Sequence, residues 1–213
     1  MCVNEWLAVQ YVRPYYQAMP RNSIRDRILD AGLKVMFRSG YSASSVRDVM
    51  TEAEGPQGSF TNHFRSKEAF AGEVLSRYFD HVRHLVAEAL GDRSLSPRDR
   101  LRRYLDVITD RLAKDGFTRG CLIGDFSLEA APQSEPLRQQ LAQISADWRV
   151  PFAACIAEGQ AGGEIDDAFT PDELAEFLLA SREGAILRMK VDRNANALER
   201  FKTIAFHTVF KEI

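Results

Sequence analysis

The chain is short of cysteine and proline and has no long apolar run, and each shortage excludes something. Three cysteines among 213 residues (Cys2, Cys121 and Cys155) are too few and too scattered for a disulfide framework or a closed zinc site. A reducing, cytoplasmic setting is therefore expected. No apolar stretch approaches the ~18 to 20 residues that a membrane-spanning helix needs, so no membrane partner is expected. Eight prolines and thirteen glycines fit neither collagen nor low-complexity sequence. A net charge of −2 is too small for a disordered polyelectrolyte. What is present is 45% hydrophobic residues on a length that can bury a sizeable core.

The first twenty residues hold Trp6, Tyr11, Tyr15 and Tyr16 with little periodicity. They lack a basic stretch followed by an apolar one, so they do not read as a secretion signal. Residues 1–18 are expected to be a loosely ordered extension or the product of an upstream start codon, because Met19 stands directly before the first patterned helix. Charge is distributed unevenly after that. Residues 21–67 carry eight Lys and Arg against five Asp and Glu, three net positive charges on a chain whose total is −2. A basic N-terminal third on an acidic body suggests a polyanionic partner at one end.

Strand signals are nearly absent, and helical periodicity runs throughout. Ser23 with Asp26 three residues on is a helix-start signal, Ile24, Ile28, Ala31 and Val35 follow at helical spacing, and Ser39-Gly40 ends the run. A second, short helix is expected from about Ser45 to Ala53, capped by Ser44 or Ser45. A third opens at Pro56 and reaches about His63. Ser66 caps a long fourth helix ending near Gly91, and Ser96-Pro97 starts a fifth to about Lys114. Gly116 to Gly124 reads as a hinge, followed by a short helix from Asp125 to Ala131. Pro136 opens a seventh helix to about Ala161, with Pro151 expected to kink it. Thr170-Pro171 with Glu173 starts an eighth to about Lys190, and a ninth runs from about Asn194 to Phe210. The expectation is all-α: nine helices and no sheet.

Two short helices joined by a tight turn and braced by longer ones are the layout of a helix-turn-helix. Such a reading helix must show polar and small side chains to a major groove and keep a narrow apolar stripe inward. The segment 56–63 does this. Phe60 is its apolar anchor, while Gln57, Ser59, Thr61, Asn62 and His63 can hydrogen-bond. Gly58 lacks a side chain where backbone can approach a phosphate. In the helix before it, Val46, Val49 and Met50 form the inward face and Arg47 points elsewhere. The N-termini of the second and fourth helices suit phosphates, and Lys67 adds charge beside the second of these.

Ile28-Leu29-Asp30-Ala31, Phe37, Gly40-Tyr41, Ser45-Val46-Arg47-Asp48-Val49, Gly58-Ser59-Phe60 and Phe64-Arg65-Ser66-Lys67-Glu68-Ala69 stand in an order and spacing that resemble the N-terminal half of the tetracycline-repressor (TetR) family. The resemblance covers roughly residues 22–75, about a quarter of the chain. It implies a nine-helix architecture with a three-helix DNA-binding head at 21–67, after the extension 1–20, and a helical ligand-binding and dimerisation body at 68–213. It also implies a homodimeric repressor on a palindromic double-stranded operator, released by a small-molecule inducer of unknown identity, with no cofactor. Carried over by position, Ser44, Ser45, Arg47 and Lys67 match phosphate-facing sites. Gln57, Thr61, Asn62 and His63 match sites facing bases or nearby phosphates. The sequence departs from the pattern at Glu54-Gly55, where the family usually has Gly-Val, and at Thr61-Asn62, where aromatic residues are common. Glu54 must then accept a turn that favours glycine, and Gly55 removes an apolar contact beneath the motif.

Gly120-Cys121-Leu122, taken with Gly58-Ser59-Phe60 and Ser66-Lys67-Glu68-Ala69-Phe70, resembles a branch of this family that includes sensors of reactive electrophiles. A sensing thiol needs partial exposure and a nearby cation or helix N-terminus, and Cys121 has Arg119 two residues away. The plainer alternative is a small buried side chain, and this is the expectation for Cys155. Phe117, Phe126, Trp148, Phe152 and Phe177 lie on helices that the resemblance implies enclose the ligand pocket; core packing is the alternative for each. Arg182 and Arg188 offer either a hold on an acidic ligand or a salt bridge. His81, His84 and Glu88 share a helix face at metal-ligand spacing, but no fourth ligand accompanies them, so a solvated or interhelical face is expected. The eighth and ninth helices carry small and apolar stripes, including Ala175, Leu178, Ile186, Ile204 and Ala205, suited to a four-helix dimer interface, with burial of part of them inside one monomer as the alternative. No catalytic grouping, phosphate loop or cofactor fingerprint is found, so the chain is not read as an enzyme. The alternative function is a helical adaptor that has lost operator binding.

Overall fold

The computed structural model describes residues 23–210. Nine helices and no strand occur among the described residues: α1 Ile24–Ala43, α2 Val46–Glu52, α3 Ser59–His63, α4 Lys67–Gly91, α5 Pro97–Lys114, α6 Leu122–Glu129, α7 Glu135–Ala161, α8 Pro171–Asp192 and α9 Asn196–Thr208. The expectation for residues 1–18 lies outside the described residues.

Side-chain caps start many of these helices. Ser23 accepts the Asp26 N–H at 3.2 Å, and Ser96 accepts that of Asp99 at 3.2 Å. Ser45 and Thr170 form reciprocal capping boxes with Asp48 and Glu173. Gly40 interrupts α1 with φ +77°, a backbone state open to glycine. Two boundaries differ from the sequence expectation. The helix expected from Pro56 begins at Ser59, because Pro56 offers its carbonyl to the Ser59 N–H at 2.9 Å and the intervening residues form a turn. The helix expected from Asp125 begins at Leu122, after the positive-φ residues Gly116 (φ +63°) and Phe117 (φ +58°). Pro151 lies inside α7, which runs as one helix.

The chain divides into two compact units. One holds the described residues up to His81 together with Asp125–Leu141; the other holds Val82–Gly124 with the described residues from Ala142 onward. The first unit is built on Ile28, Val35, Met36, Met50, Phe60 and Phe70, all buried. The second is built on Leu101, Tyr104, Phe152, Ile156, Leu178 and Phe206. The expected boundary at residues 67 and 68 is not where the packing divides. The segment 125–141 belongs with the head through specific polar contacts. Glu129 accepts the Ser42 N–H at 2.9 Å, Ser134 donates to Glu68 at 2.6 Å, and Gln140 donates to the Gly72 carbonyl at 2.8 Å. Among the described residues no helix is long and apolar enough to cross a membrane.

Candidate nucleic-acid interface

The reading helix is short, so aromatic packing beneath it has to hold it. Phe60 is buried, with its ring 5.3 Å from Phe64 and 5.1 Å from Phe70. Phe64 lies 4.8 Å from Phe70 in turn, closing a three-ring cluster that ties α3 to α4. With Phe60 inward, Gln57, Thr61 and Asn62 are exposed and Ser59 and His63 are half-buried. The Thr61 hydroxyl donates back to the Gly58 carbonyl at 3.1 Å. The polar face expected from the sequence is therefore assembled on the outside of the head.

The turn between α2 and α3 is held from below. Arg27 of α1 donates to the Ala53 carbonyl at 2.7 Å, a brace that periodicity could not reveal because it joins residues 26 positions apart. Glu54 does adopt the left-handed conformation, with φ +51°, and is exposed. A Cβ at Gly55 would stand 3.0 Å from the tip of Met50, so the missing apolar contact lies over that side chain.

Ser45, not Ser44, caps α2. The Asp48 carboxylate accepts the Ser45 N–H at 2.9 Å and its hydroxyl at 2.6 Å, and these bonds, the hydroxyl's above all, hold Asp48 below the usual carboxylate range. Ser44 is a correction. It is 4% exposed and its hydroxyl turns back to the Tyr41 carbonyl at 2.8 Å, so its side chain does not face a phosphate. Lys67 is half-buried. Its ammonium lies 4.7 Å from the Tyr41 ring centre and donates to the Ser42 carbonyl at 3.4 Å. Burial lowers its pKa, opposed by Glu129.

Most of the positive charge in the head is internally committed. Arg25 pairs with Glu73, Lys34 and Arg38 with Glu52, and Arg27 with backbone. Arg77, from α4, pairs with Asp26 and Asp30. Arg47 and Arg65 are exposed and hydrogen-bond to nothing among the described residues. Arg65 was not singled out from the sequence; its position in the short link between α3 and α4 is the signal that marks it.

The body's candidate residues divide. In the second unit Trp148 and Phe152 are buried, Phe117 is half-buried in the reversal before α6, and Cys121 is buried and within electrostatic range of Arg182 and Tyr104. Phe126 is buried in the first unit, 5.6 Å from Tyr41. Phe177 is 45% exposed on α8, outside the buried core of the second unit. The Cys155 thiol donates to the Pro97 carbonyl at 3.4 Å and burial pushes it up to about 11, the state of an inert packing thiol. Arg188 is exposed and pairs with Asp192 at 2.8 Å.

A capped helix, a braced turn and an outward polar helix with an exposed arginine beside it define a helix-turn-helix DNA-reading module. Residues 28–74 match the family described as "Bacterial regulatory proteins, tetR family", and residues 97–205 match "Tetracyclin repressor-like, C-terminal domain". The chain is 44% identical to the HTH-type transcriptional repressor DhaR of Mycobacterium sp. (strain GP1), over 90% of this chain and 94% of that protein. It is 33% identical to the transcriptional regulator AcuR of Cereibacter sphaeroides, over 85% and 84%. A solved regulatory protein TetR from Rhodobacter sphaeroides superposes with TM-score 0.80 at 32% identity, covering 84% of this chain and 95% of that one. The chain belongs to the TetR family and is a DNA-binding transcriptional regulator.

Proposed function

We propose that the chain is a repressor that holds a palindromic operator as a homodimer in the cytoplasm and lets go when a small molecule or an electrophile occupies its body. The observation that carries this reading is the outward polar face of α3, anchored by Phe60, beside an exposed Arg47 that hydrogen-bonds to nothing among the described residues. Gln57, Thr61, Asn62 and His63 read base edges. Ser59 and the bare backbone at Gly58 approach phosphates, with Ser45, Arg47, Arg65 and Lys67 fixing the register.

Self-association is assigned to α8 and α9. Phe177, Leu187 and Val191 of α8 are large apolar side chains left exposed, and Val191 is 74% exposed. A Cβ at Gly184 would meet open space, so this stripe has room for a close helix neighbour. Ile204 of α9 is also exposed. Leu178, Ile186 and Ala205, from the same expected stripes, are instead buried within the protomer. Val191→Asp places a charge in this face and should convert the dimer to a monomer by analytical ultracentrifugation.

Cys121 is the sensing candidate for the cation within its electrostatic range, Arg182, and not for exposure, since it is 7% exposed. Its thiolate would add to the activated double bond of an electrophile, forming an S–C bond and leaving a carbanion that takes a proton from water. Cys121→Ser should leave apo DNA binding intact and abolish release by N-ethylmaleimide; persistent release removes Cys121 from the mechanism. The function as a whole is tested by titrating the full chain on the intergenic DNA beside its own gene. Log affinity should fall with log salt at a slope of about −0.9 for each phosphate contacted, and a flat slope would overturn operator binding.

A further inference from the structure

In the second unit one buried cluster holds more hydrogen-bond donors than acceptors. Arg182 of α8 is 2% exposed. A guanidinium has five N–H donors and accepts nothing. One Nη of Arg182 donates to the Tyr104 hydroxyl and the other to the Glu183 carboxylate. Its Nε–H is buried and meets no acceptor among the described residues. Tyr104 adds to the surplus. Its hydroxyl accepts from Arg182 and lies beside the Trp148 indole. Burial pushes Tyr104 up to about 12, so at neutral pH it keeps a proton to donate. Burial also works against the charge on Arg182, but the Glu183 carboxylate beside it keeps the guanidinium protonated.

Glu183 fills this cluster poorly. It engages one Nη, its side chain is 26% exposed, and its other oxygen lies over Gly124, where a Cβ would stand 2.7 Å away. Buried donors are normally satisfied, so the open Nε–H and the Tyr104 proton call for an acceptor that the described residues do not supply.

We propose that Arg182, Tyr104 and Trp148 form the polar end of a binding site for a small monocarboxylate with an apolar tail, whose carboxylate replaces that of Glu183 on the guanidinium. Charge selects the class. Exchanging one carboxylate for another leaves the buried charge unchanged, whereas a dianion brings a second negative charge to a single cation. The planar guanidinium fork matches two coplanar oxygens. The surroundings select the tail. The guanidinium carbon lies 4.4 Å from the centre of the Trp148 ring, and Phe152 packs edge-on against Tyr104 at 4.8 Å. The released Glu183 side chain already reaches solvent.

This inference rests on the ligand-release reading above, and its test keeps the two apart. Trp148 is the reporter; Trp6→Phe in the full chain leaves it as the lone indole. The probes are sodium butyrate and sodium benzoate, with butyramide and benzamide as neutral counterparts, each to about 10 mM, well past half-filling of a millimolar site. The acids should change Trp148 emission saturably and the amides should not. Glu183→Gln keeps an acceptor but removes the competing charge, and should tighten acid binding about fivefold. Tyr104→Phe keeps the ring contact with Phe152 and should weaken binding by a similar factor, so an Arg182→Gln variant that fails to fold does not stall the test. The same probes are then added to the protein–operator complex. Acids that bind without releasing DNA support the site and overturn the release reading. If butyramide or N-ethylmaleimide releases DNA while neither acid binds, the release reading stands and the carboxylate site is overturned. Acid binding that Glu183→Gln leaves unchanged overturns the exchange.

Discussion

Polar side chains are used in opposite ways in the head and in the body. On α3 and the turn before it they stand in water, Gln57, Thr61 and Asn62 exposed, and only the aromatic cluster below them is dry. Around Arg182 the polar groups are the dry part, and every donor there carries a desolvation penalty until it finds an acceptor. An exposed polar surface tolerates substitution and stores specificity, because its partner arrives from outside. A buried polar cluster is tied to stability and responds to any ligand that completes its hydrogen bonds. The difference lies in which residues can be changed without disturbing the fold.

The comparison is broken most strongly at Phe60. Phe60→Ala removes the anchor of a five-residue helix and should cost about 3 to 5 kcal/mol of head stability, read by urea denaturation, with operator binding lost as a consequence. Next are the exposed readers. Asn62→Ala and Gln57→Ala should leave the thermal midpoint in place and shift preference among operator variants by about 1 to 3 kcal/mol per base contact, read by competition binding. Unaltered preference in both would remove α3 from base reading. Arg47→Ala should weaken binding to all sequences about tenfold and reduce the salt slope by about 1.

The smallest effect separates the two serines before α2. Ser45→Ala should lose about 1 kcal/mol through its cap, and Ser44→Ala should leave the cap and the salt slope unchanged. The same box has a pH signature. Asp48 is held below its ordinary 3.8 by the Ser45 hydrogen bonds. A lowered carboxyl stabilises the folded state fully above its unfolded value and loses that contribution as pH falls through the folded value. Acid titration below about pH 4 should therefore destabilise the native head, and Ser45→Ala should reduce that sensitivity.

Legibility followed the range of the interaction. The capped starts at Ser23, Ser45, Ser96 and Thr170 were readable because a cap and its partner lie three residues apart. The left-handed turn at Glu54 was readable because its demand on the backbone is local. The Arg27 brace, the union of segment 125–141 with the head through Glu129 and Ser42, and the outward turn of Phe177 were not. Each joins or exposes residues by three-dimensional packing, and periodicity does not report partners tens of positions away.

The sequence alone determined that the chain is helical, where most of its helices begin, and that a short polar helix follows a tight turn in a basic region, because propensity, capping and charge act over a few residues. Only the tertiary structure decided which cations remain available once internal ion pairs have taken theirs. It also decided which serine reaches the surface, and that the buried Arg182 is left with more donors than the described residues satisfy. Burial and pairing are properties of packed neighbours, and those neighbours are chosen by the fold.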